Sequence, residues 1–453
     1  MRAPSLAAVL PSGAARRPIL LLSLGTFALG TDSFVVSGVL PDVGHDLGVG
    51  LGTAGLLVTV FSAVYAVSAP VLAVATGNKD RRAVLLSALV VFVLANLLAA
   101  VAPNYAIMIV ARVLAALAAA LYTPAATAAA ATLALPEERG RALAAVLGGL
   151  TLANALGVPI GTLIANASQW RATFVFVAVL GALAFLGLAR ALGRVPSAGT
   201  ASLRDRITAA RIRTVPTTLA ATALSICGVF VIYTYLAWFA DRTSGIHGAM
   251  VTTVYLIFGV GAVISNMAAG WLIDRMPPLR VAAFSIGGLA VAWAVLALLS
   301  DLASRTTATA VLLCLIVAGW SLVGWMFNPA QQQRLLTAAG PQGPVVLSLN
   351  ASAIYAGQAV GGGLGGLLLS HGPTALATGR RGVRGAGPGV PGAVRAAAPR
   401  RRQPVAGARP GRRRTGPAVR FLTLRGARPP GPSPVVRARP ARTREEPVRS
   451  PSP

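Results

Sequence analysis

Two ionisable residues stand inside long apolar runs of this chain, Asp32 and Arg112. A charge at the centre of a lipid bilayer costs roughly 2.5–3.5 kcal/mol even on lenient insertion scales, so such a residue faces a cavity or a partner. Burial favours the neutral form of a carboxyl group, and a nearby cation favours the charged form. An aspartate that alternates between these surroundings picks up and releases a proton. Asp32 and Arg112 are therefore candidates for proton coupling. The plainer alternative makes Asp32 a cap near a water-filled mouth and Arg112 a structural pin.

Other chemistry is sparse. Cys227 and Cys314 both lie in apolar stretches, and His45, His247 and His371 are far apart, so neither a disulfide framework nor a metal site is expected. No Ser/His/Asp set, histidine cluster or paired carboxylates occupy the apolar runs, which argues against an enzyme. The polar and aromatic residues inside those runs, Tyr122, Asn154, Tyr233, Tyr235, Asn328, Asn350 and Gln358, are candidates to line a substrate cavity. Each alone reads more simply as a packing hydrogen bond. Together they suit a mostly apolar cavity for a lipophilic or neutral solute.

The elements that must position these residues are membrane helices. Hydrophobic residues make up 55% of the chain and charged residues only 11%, too few to cover a water-facing surface. Eleven continuous apolar segments are long enough to cross a bilayer: 18–40, 51–76, 83–101, 105–133, 142–164, 172–192, 215–239, 248–273, 281–300, 306–328 and 344–369. Continuity rather than alternation favours helices over a barrel. Arg2, Arg16 and Arg17 before the first run suggest a signal peptide, but that run is too long, and we read it as an uncleaved first span. The expected fold is an all-α membrane protein.

The net charge of +28 implies topology rather than nucleic-acid binding. Seventeen basic residues occupy alternate loops: Arg2, Arg16, Arg17, Lys79, Arg81, Arg82, Arg139, Arg141, Arg190, Arg194, Arg204, Arg206, Arg211, Arg213, Arg275, Arg280 and Arg334. The opposite loops hold three, Arg171, Arg242 and Arg305. This bias places the N-terminus in the cytoplasm.

The chain also repeats. Val39-Leu-Pro-Asp42 pairs with Trp238-Phe-Ala-Asp241, Tyr122-Thr-Pro124 with Phe327-Asn-Pro329, and Gly157-Val-Pro-Ile-Gly161 with Gly361-Gly-Gly-Leu-Gly365, at offsets of 199, 205 and 204. The division expected is an N-terminal six-helix bundle (1–193), a cytoplasmic linker (194–214), a C-terminal bundle of five helices (215–369) and an Arg/Pro/Gly-rich disordered tail (370–453). Two parallel bundles with a solute held between them is a transporter plan. The repeat calls for a twelfth helix where the tail begins, and none is expected there. The tail lacks Ile, Lys, Asn, Asp, Tyr, Met, Trp and Cys from residue 374 onward, which fits an out-of-frame reading of a GC-rich gene.

Gly157, Pro159 and Gly161 mark a bend in the fifth span, where small residues permit close helix approach and proline frees a carbonyl. The bland reading is ordinary glycine-rich packing. Asp274 and Arg275 end the eighth span, and Asp80 and Arg81 follow the second. Either pair suits an ion-pair latch or a plain charged turn.

Taken together, Leu24-Gly-Thr-Phe-Ala-Leu-Gly-Thr-Asp-Ser-Phe34, Leu40-Pro-Asp42, Arg112-Val-Leu-Ala-Ala116, Gly157-Val-Pro-Ile-Gly161, Trp170-Arg-Ala-Thr-Phe174 and Gly270-Trp-Leu-Ile-Asp274-Arg275 resemble the major facilitator superfamily over residues 19–369. Within it they look like the twelve-helix drug:proton antiporters, near the chloramphenicol-resistance and arabinose or nucleoside efflux branch. The resemblance implies a proton-coupling role for Arg112, an antiporter motif at Gly157, Pro159 and Gly161, and a loop latch at Asp274 and Arg275. Gly77 and Asp80 do not fit the family's first-loop spacing, and many members carry the first-span acid one residue later, where this chain has Ser33. The implied protein is a monomeric proton-driven exporter in a bacterial plasma membrane, with lipid, protons and a small molecule as its partners and no cofactor beyond the proton gradient. The alternatives are a sugar or nucleoside exporter and an inactive remnant lacking its last helix.

Overall fold

The computed structural model describes residues 15–195, 202–301 and 305–378. The proposed out-of-frame tail beyond 378 and linker residues 196–201 lie outside these. The helices are α1 (Arg16–Asp46), α2 (Leu51–Ala75), α3 (Arg81–Ala100), α4 (Tyr105–Leu133), α5 (Arg139–Leu152), α6 (Val158–Ala167) and α7 (Trp170–Ala191) in the first half. A short α8 (Leu203–Ala210) leads to α9 (Thr214–Tyr233), α10 (Leu236–Ser244), α11 (Ala249–Ile273), α12 (Pro278–Asp301), α13 (Thr307–Gly324), α14 (Phe327–Ala339), α15 (Gly343–Leu368) and α16 (Pro373–Thr378).

Local chemistry sets the ends. Asn104 caps α4 by accepting the Ile107 amide at 3.0 Å, and Ser202 with Asp205 forms a capping box on α8. The Ser202 hydroxyl, donating to Asp205 Oδ2 at 2.8 Å, with the Ser202 amide and the Arg204 charge, holds the Asp205 carboxyl below its ordinary range. Gly245, at φ 70°, closes α10 in the left-handed conformation that glycine adopts freely.

Among the described residues ten helical stretches are long and apolar enough to cross a membrane, the last running 65 residues from Thr307 to His371. At 1.5 Å per residue that stretch would reach about 100 Å, against roughly 30 Å of hydrocarbon. It folds back instead at Gly340, where φ is +49° and a 3-10 turn separates α14 from α15. The stretch thus holds two helical legs, α13–α14 and α15, on either side of that turn.

Three expected features are corrected. The seventh span is broken after Tyr233 and resumes as α10, and the tenth is broken at Trp325 and resumes as α14. The third concerns the 370 boundary: after a break at Gly372 the chain forms a further short helix, Pro373–Thr378, with Ala375 and Leu376 buried and the Thr374 hydroxyl donating to Asp301 at 2.8 Å. This α16 packs on α12 but is far too short to cross.

The apolar core is asymmetric. At the end where α1 stops and α2 starts, one buried cluster joins both halves, running from Val36, Leu40 and Leu57 to Leu236, Tyr255, Phe258 and Trp320. Toward the other end the buried residues divide. One cluster of α1–α5 and α7 serves the first half, and smaller ones around Phe327 and Leu335 serve the second. The arginine-rich loops lie at this divided end.

Candidate functional site

α1 runs through the middle of the first half, against α2, α4, α5, α6 and α7. Small residues make this possible. The Thr26 hydroxyl donates to the Val146 carbonyl at 2.5 Å and Ser23 to Ala145 at 2.8 Å. A Cβ at Gly149 would meet the Ser23 carbonyl at 2.5 Å, and one at Gly30 would meet the Ala153 methyl at 2.7 Å. The chain therefore brings α1 and α5 together at backbone distance, which only small residues allow.

Within this packing Asp32 is 0% and Arg112 1% exposed. Arg112 Nη1 donates to Asp32 Oδ1 at 2.7 Å, and its Nη2 reaches the Asp32 carbonyl at 3.4 Å. The guanidinium also lies 4.4 Å from the centre of the Phe61 ring. A buried carboxylate and cation offset each other's desolvation only when paired this closely. The pairing is incomplete: Asp32 Oδ2 and Arg112 Nε have no hydrogen-bond partner among the described residues. Sequence reasoning brought these two residues forward separately, and the structure places them in contact.

The bend expected in the fifth span is a π turn, Ala153–Gly157, between α5 and α6. Pro159 sits just past it, at the second residue of α6, where its missing amide withdraws a donor from the preceding turn. Gly157 lies against Thr31, and Gly161 against Val35, with the Thr173 hydroxyl donating to the Gly161 carbonyl at 2.8 Å. The turn also meets the other half. A Cβ on Gly259 of α11 would come within 2.5 Å of the Asn154 carbonyl. Gly157 and Gly161 thus pack the π turn and α6 on α1, and Gly259 completes the seam, which the sequence reading missed.

Across that seam lies an aromatic cluster. Phe34 from α1 faces Phe230, Tyr233 and Trp325 with ring centres at 6.3, 6.3 and 6.4 Å. Tyr233 meets Phe258 at 4.8 Å and Tyr255 at 5.6 Å, and Phe258 meets Trp320 at 5.0 Å. The Tyr233 hydroxyl donates across the seam to Asn154 Oδ1 at 3.4 Å. Asn350 donates to Asn328 at 3.3 Å, and Gln358 is 1% exposed. Asn154 Nδ2, Asn350 Oδ1 and Gln358 Nε2 keep unpaired capacity among the described residues. Tyr122 and Tyr235 serve packing instead. Their hydroxyls donate to the carbonyls of Leu22 at 3.1 Å and Gly362 at 2.8 Å, beside Gly25 and Gly55 respectively.

At the divided end, Asp80 caps α3 by accepting the Arg82 amide at 3.2 Å, and also accepts the Val195 amide at 3.1 Å. Arg81 turns back to the Gly77 carbonyl at 3.3 Å. Asp80 therefore ties the start of the linker to the second-span loop. Arg275 lies 4.1 Å from the Trp271 ring and donates to the Trp271 carbonyl at 3.0 Å. Among the described residues Asp274 takes part in no ion pair.

Paired helical bundles joined along a seam of small and aromatic residues, with a buried charge pair beside it, define a membrane transporter. Residues 22–362 match the Major Facilitator Superfamily, and the chain belongs to that family. It is 34% identical over 353 residues to the uncharacterized MFS-type transporter YbcL of Bacillus subtilis, covering 78% of this chain and 89% of that protein. It is 35% identical over 288 residues to the chloramphenicol resistance protein of Streptomyces lividans, covering 63% and 73%. The fold is also that of a POT peptide transporter crystal structure, with a TM-score of 0.67 at 13% identity over 82% of this chain and 93% of that one. These relatives are transporters, not enzymes.

Proposed function

We propose that this protein exports a small lipophilic or neutral solute, such as a drug, in exchange for protons. It works by alternating access as a monomer in a bacterial plasma membrane with its N-terminus in the cytoplasm. The observation that carries this reading is the Asp32–Arg112 pair, 2.7 Å apart and closed to solvent. A carboxylate held ionised by one cation is neutralised by a proton once that contact loosens. The asymmetric core supports alternation, because the joined end and the divided end can exchange roles if the seam repacks. The divided end carries the basic loops, which makes it the cytoplasmic end in this reading. The aromatic seam offers apolar faces for a lipophilic solute, and the amides of Asn154, Asn350 and Gln358 offer polar handles.

The unpaired amides favour a second reading, a sugar or nucleoside exporter, since hydroxyl-rich solutes need such partners. One experiment separates the two. Radiolabelled chloramphenicol and radiolabelled arabinose are loaded separately into a pump-deficient bacterial host expressing the chain, with and without a proton uncoupler. Uncoupler-sensitive loss of chloramphenicol supports drug:proton exchange, and uncoupler-sensitive loss of arabinose alone supports the second reading. Membrane insertion with export of neither solute supports an inactive remnant.

A further inference from the structure

The short α16 stands in the second half where α7 stands in the first. α7 packs on α3, α1 and α6. α16 packs on α12, the repeat mate of α3, and touches α9, α10 and α15, the mates of α1 and α6. Their first turns are tied alike. Arg171, the second residue of α7, donates to the Ala102 carbonyl just past α3 at 3.0 Å. Thr374, the second residue of α16, donates to Asp301 at the end of α12 at 2.8 Å. Arg171 and Thr374 are 203 positions apart, and Ala102 and Asp301 are 199 apart, both within the range of the repeat. The two helices then part. α7 runs 22 residues, whereas α16 stops after six at Thr378. Gly379-Arg-Arg-Gly382 comes next in the sequence, and no apolar run long enough to finish a crossing follows it.

The cover that α7 gives α3 is missing from α12. Held between α4 and α7, α3 buries adjacent pairs, Val84 with Leu85, Ala88 with Leu89 and Ala95 with Asn96. Over the same stretch α12 exposes adjacent pairs, Ala283 with Phe284, Ile286 with Gly287 and Ala290 with Val291. Phe284 is 60% and Val291 64% exposed. The buried stripe of α12 widens at Leu299 and Ser300, beside the Thr374 bond. Lipid-facing residues are ordinary on any span, but this face is open in one half and covered in the other.

We propose that the open face of α12 is the seat of an apolar transmembrane helix that continues α16 from Thr378 and runs to the divided end, as α7 does against α3. The occupant is apolar because every exposed residue from Ala283 to Leu298 is apolar. It is a helix because its backbone must satisfy itself in lipid. Gly287 and Ala290 let it approach closely, as Gly181 of α7 lies against Phe92 of α3. A second copy of the chain fits this seat poorly. Two-fold symmetry across the membrane plane would set its α12 parallel to this one. The seat calls for an antiparallel helix, since α3 is the third crossing and α7 the sixth. The inference holds whatever the solute and does not depend on proton coupling.

The test reads lipid access at α12 in the full chain, reconstituted in phosphatidylcholine vesicles. A spin label on Val291→Cys, in a Cys227→Ser/Cys314→Ser background, reports collision with molecular oxygen dissolved in the lipid. A label on Leu94→Cys of α3, at a position 61% exposed, is the control. Both labels should respond to oxygen in the full chain. Replacing residues 379–453 by a copy of residues 176–191, the remainder of α7, should abolish the response at Val291→Cys and leave it at Leu94→Cys. A second graft, a copy of residues 55–69 of α2, keeps the test open if the first does not insert. An oxygen response at Val291→Cys that survives both grafts overturns the inference. Equal loss at Leu94→Cys overturns it too, because the cover would not be specific to α12. So does a Val291→Cys label already shielded in the full chain, since another body, such as a second copy, would then hold the face. None of these outcomes bears on the efflux experiment above.

Discussion

The two halves repeat one another, yet at matching depths they bury opposite chemistry. In the first half the depth belongs to Asp32 and Arg112, in contact and closed to solvent. The repeat carries Arg112 to Val317 and Asp32 to within two residues of Tyr233. Around those positions the second half holds the rings of Tyr233, Phe258 and Trp320. A charge pair is directional and tolerates no loss of its partner, whereas aromatic contacts are worth about 0.5–1.5 kcal/mol each beyond area burial and repack with little orientation cost. The first half is thus built to hold a charge rigidly, between α1 and α4. The second half presents to Phe34 of the first an apolar face that can slide.

The largest effect expected from breaking this contrast is at Arg112. Arg112→Ala leaves a carboxylate buried without its cation, a loss of about 3–5 kcal/mol. Initial efflux rates should fall by about 100-fold or more, since each tenfold is about 1.4 kcal/mol. The detergent-solubilised protein should also melt earlier. Adding Asp32→Asn to Arg112→Ala should restore most of the thermal stability while leaving transport uncoupled. A double variant no more stable than the single one would show that the two side chains are not an energetic unit.

The seam between the halves gives the next effect. At Gly259 an added methyl would meet backbone of the π turn, which cannot give way as a flexible side chain can. Gly259→Ala should cost about 1–3 kcal/mol by overpacking and lower efflux accordingly. Gly148→Ala sits one turn before that region and meets nothing within 4 Å. In a helix interior it should be neutral or stabilise by about 0.5–1 kcal/mol. Thermal melts of the two variants separate close approach from general glycine content.

Much of this was legible in the sequence, and the residues show why. Asp32 and Arg112 stand out because a charge in an apolar run has few explanations in lipid. The crossings follow from run length. The π turn just before Pro159 follows from the glycine and proline that mark it. What the sequence hid is what depends on contact between the halves. Tyr122 and Tyr235 look like ligand groups until their hydroxyls are found on backbone carbonyls. Phe34, Trp325 and Tyr355 look like ordinary membrane aromatics until the other bundle is set against them. The break at Trp325 falls four residues before Pro329, which removes the amide that would bond its carbonyl, whereas no proline lies near the break after Tyr233. The bond from the Val195 amide to Asp80, between residues 115 positions apart, was likewise hidden.

The smallest predicted effects sharpen the account of the aromatic face. Phe34 is the ring that the first half contributes to that cluster, with three aromatic neighbours in the second. Phe34→Ala should raise the KM for a lipophilic solute about fivefold to tenfold, the worth of one or two ring contacts. Turnover should fall less, because the charge pair is untouched. Tyr233→Phe keeps every ring contact and removes only the bond to Asn154, which at 3.4 Å lies at the long limit for a hydrogen bond. Its KM change should stay under about threefold, below the net worth of a typical hydrogen bond. A larger effect of Tyr233→Phe than of Phe34→Ala would mean that the amide and phenol hold the solute. The second half would then be a polar recognition surface and not a sliding apolar one.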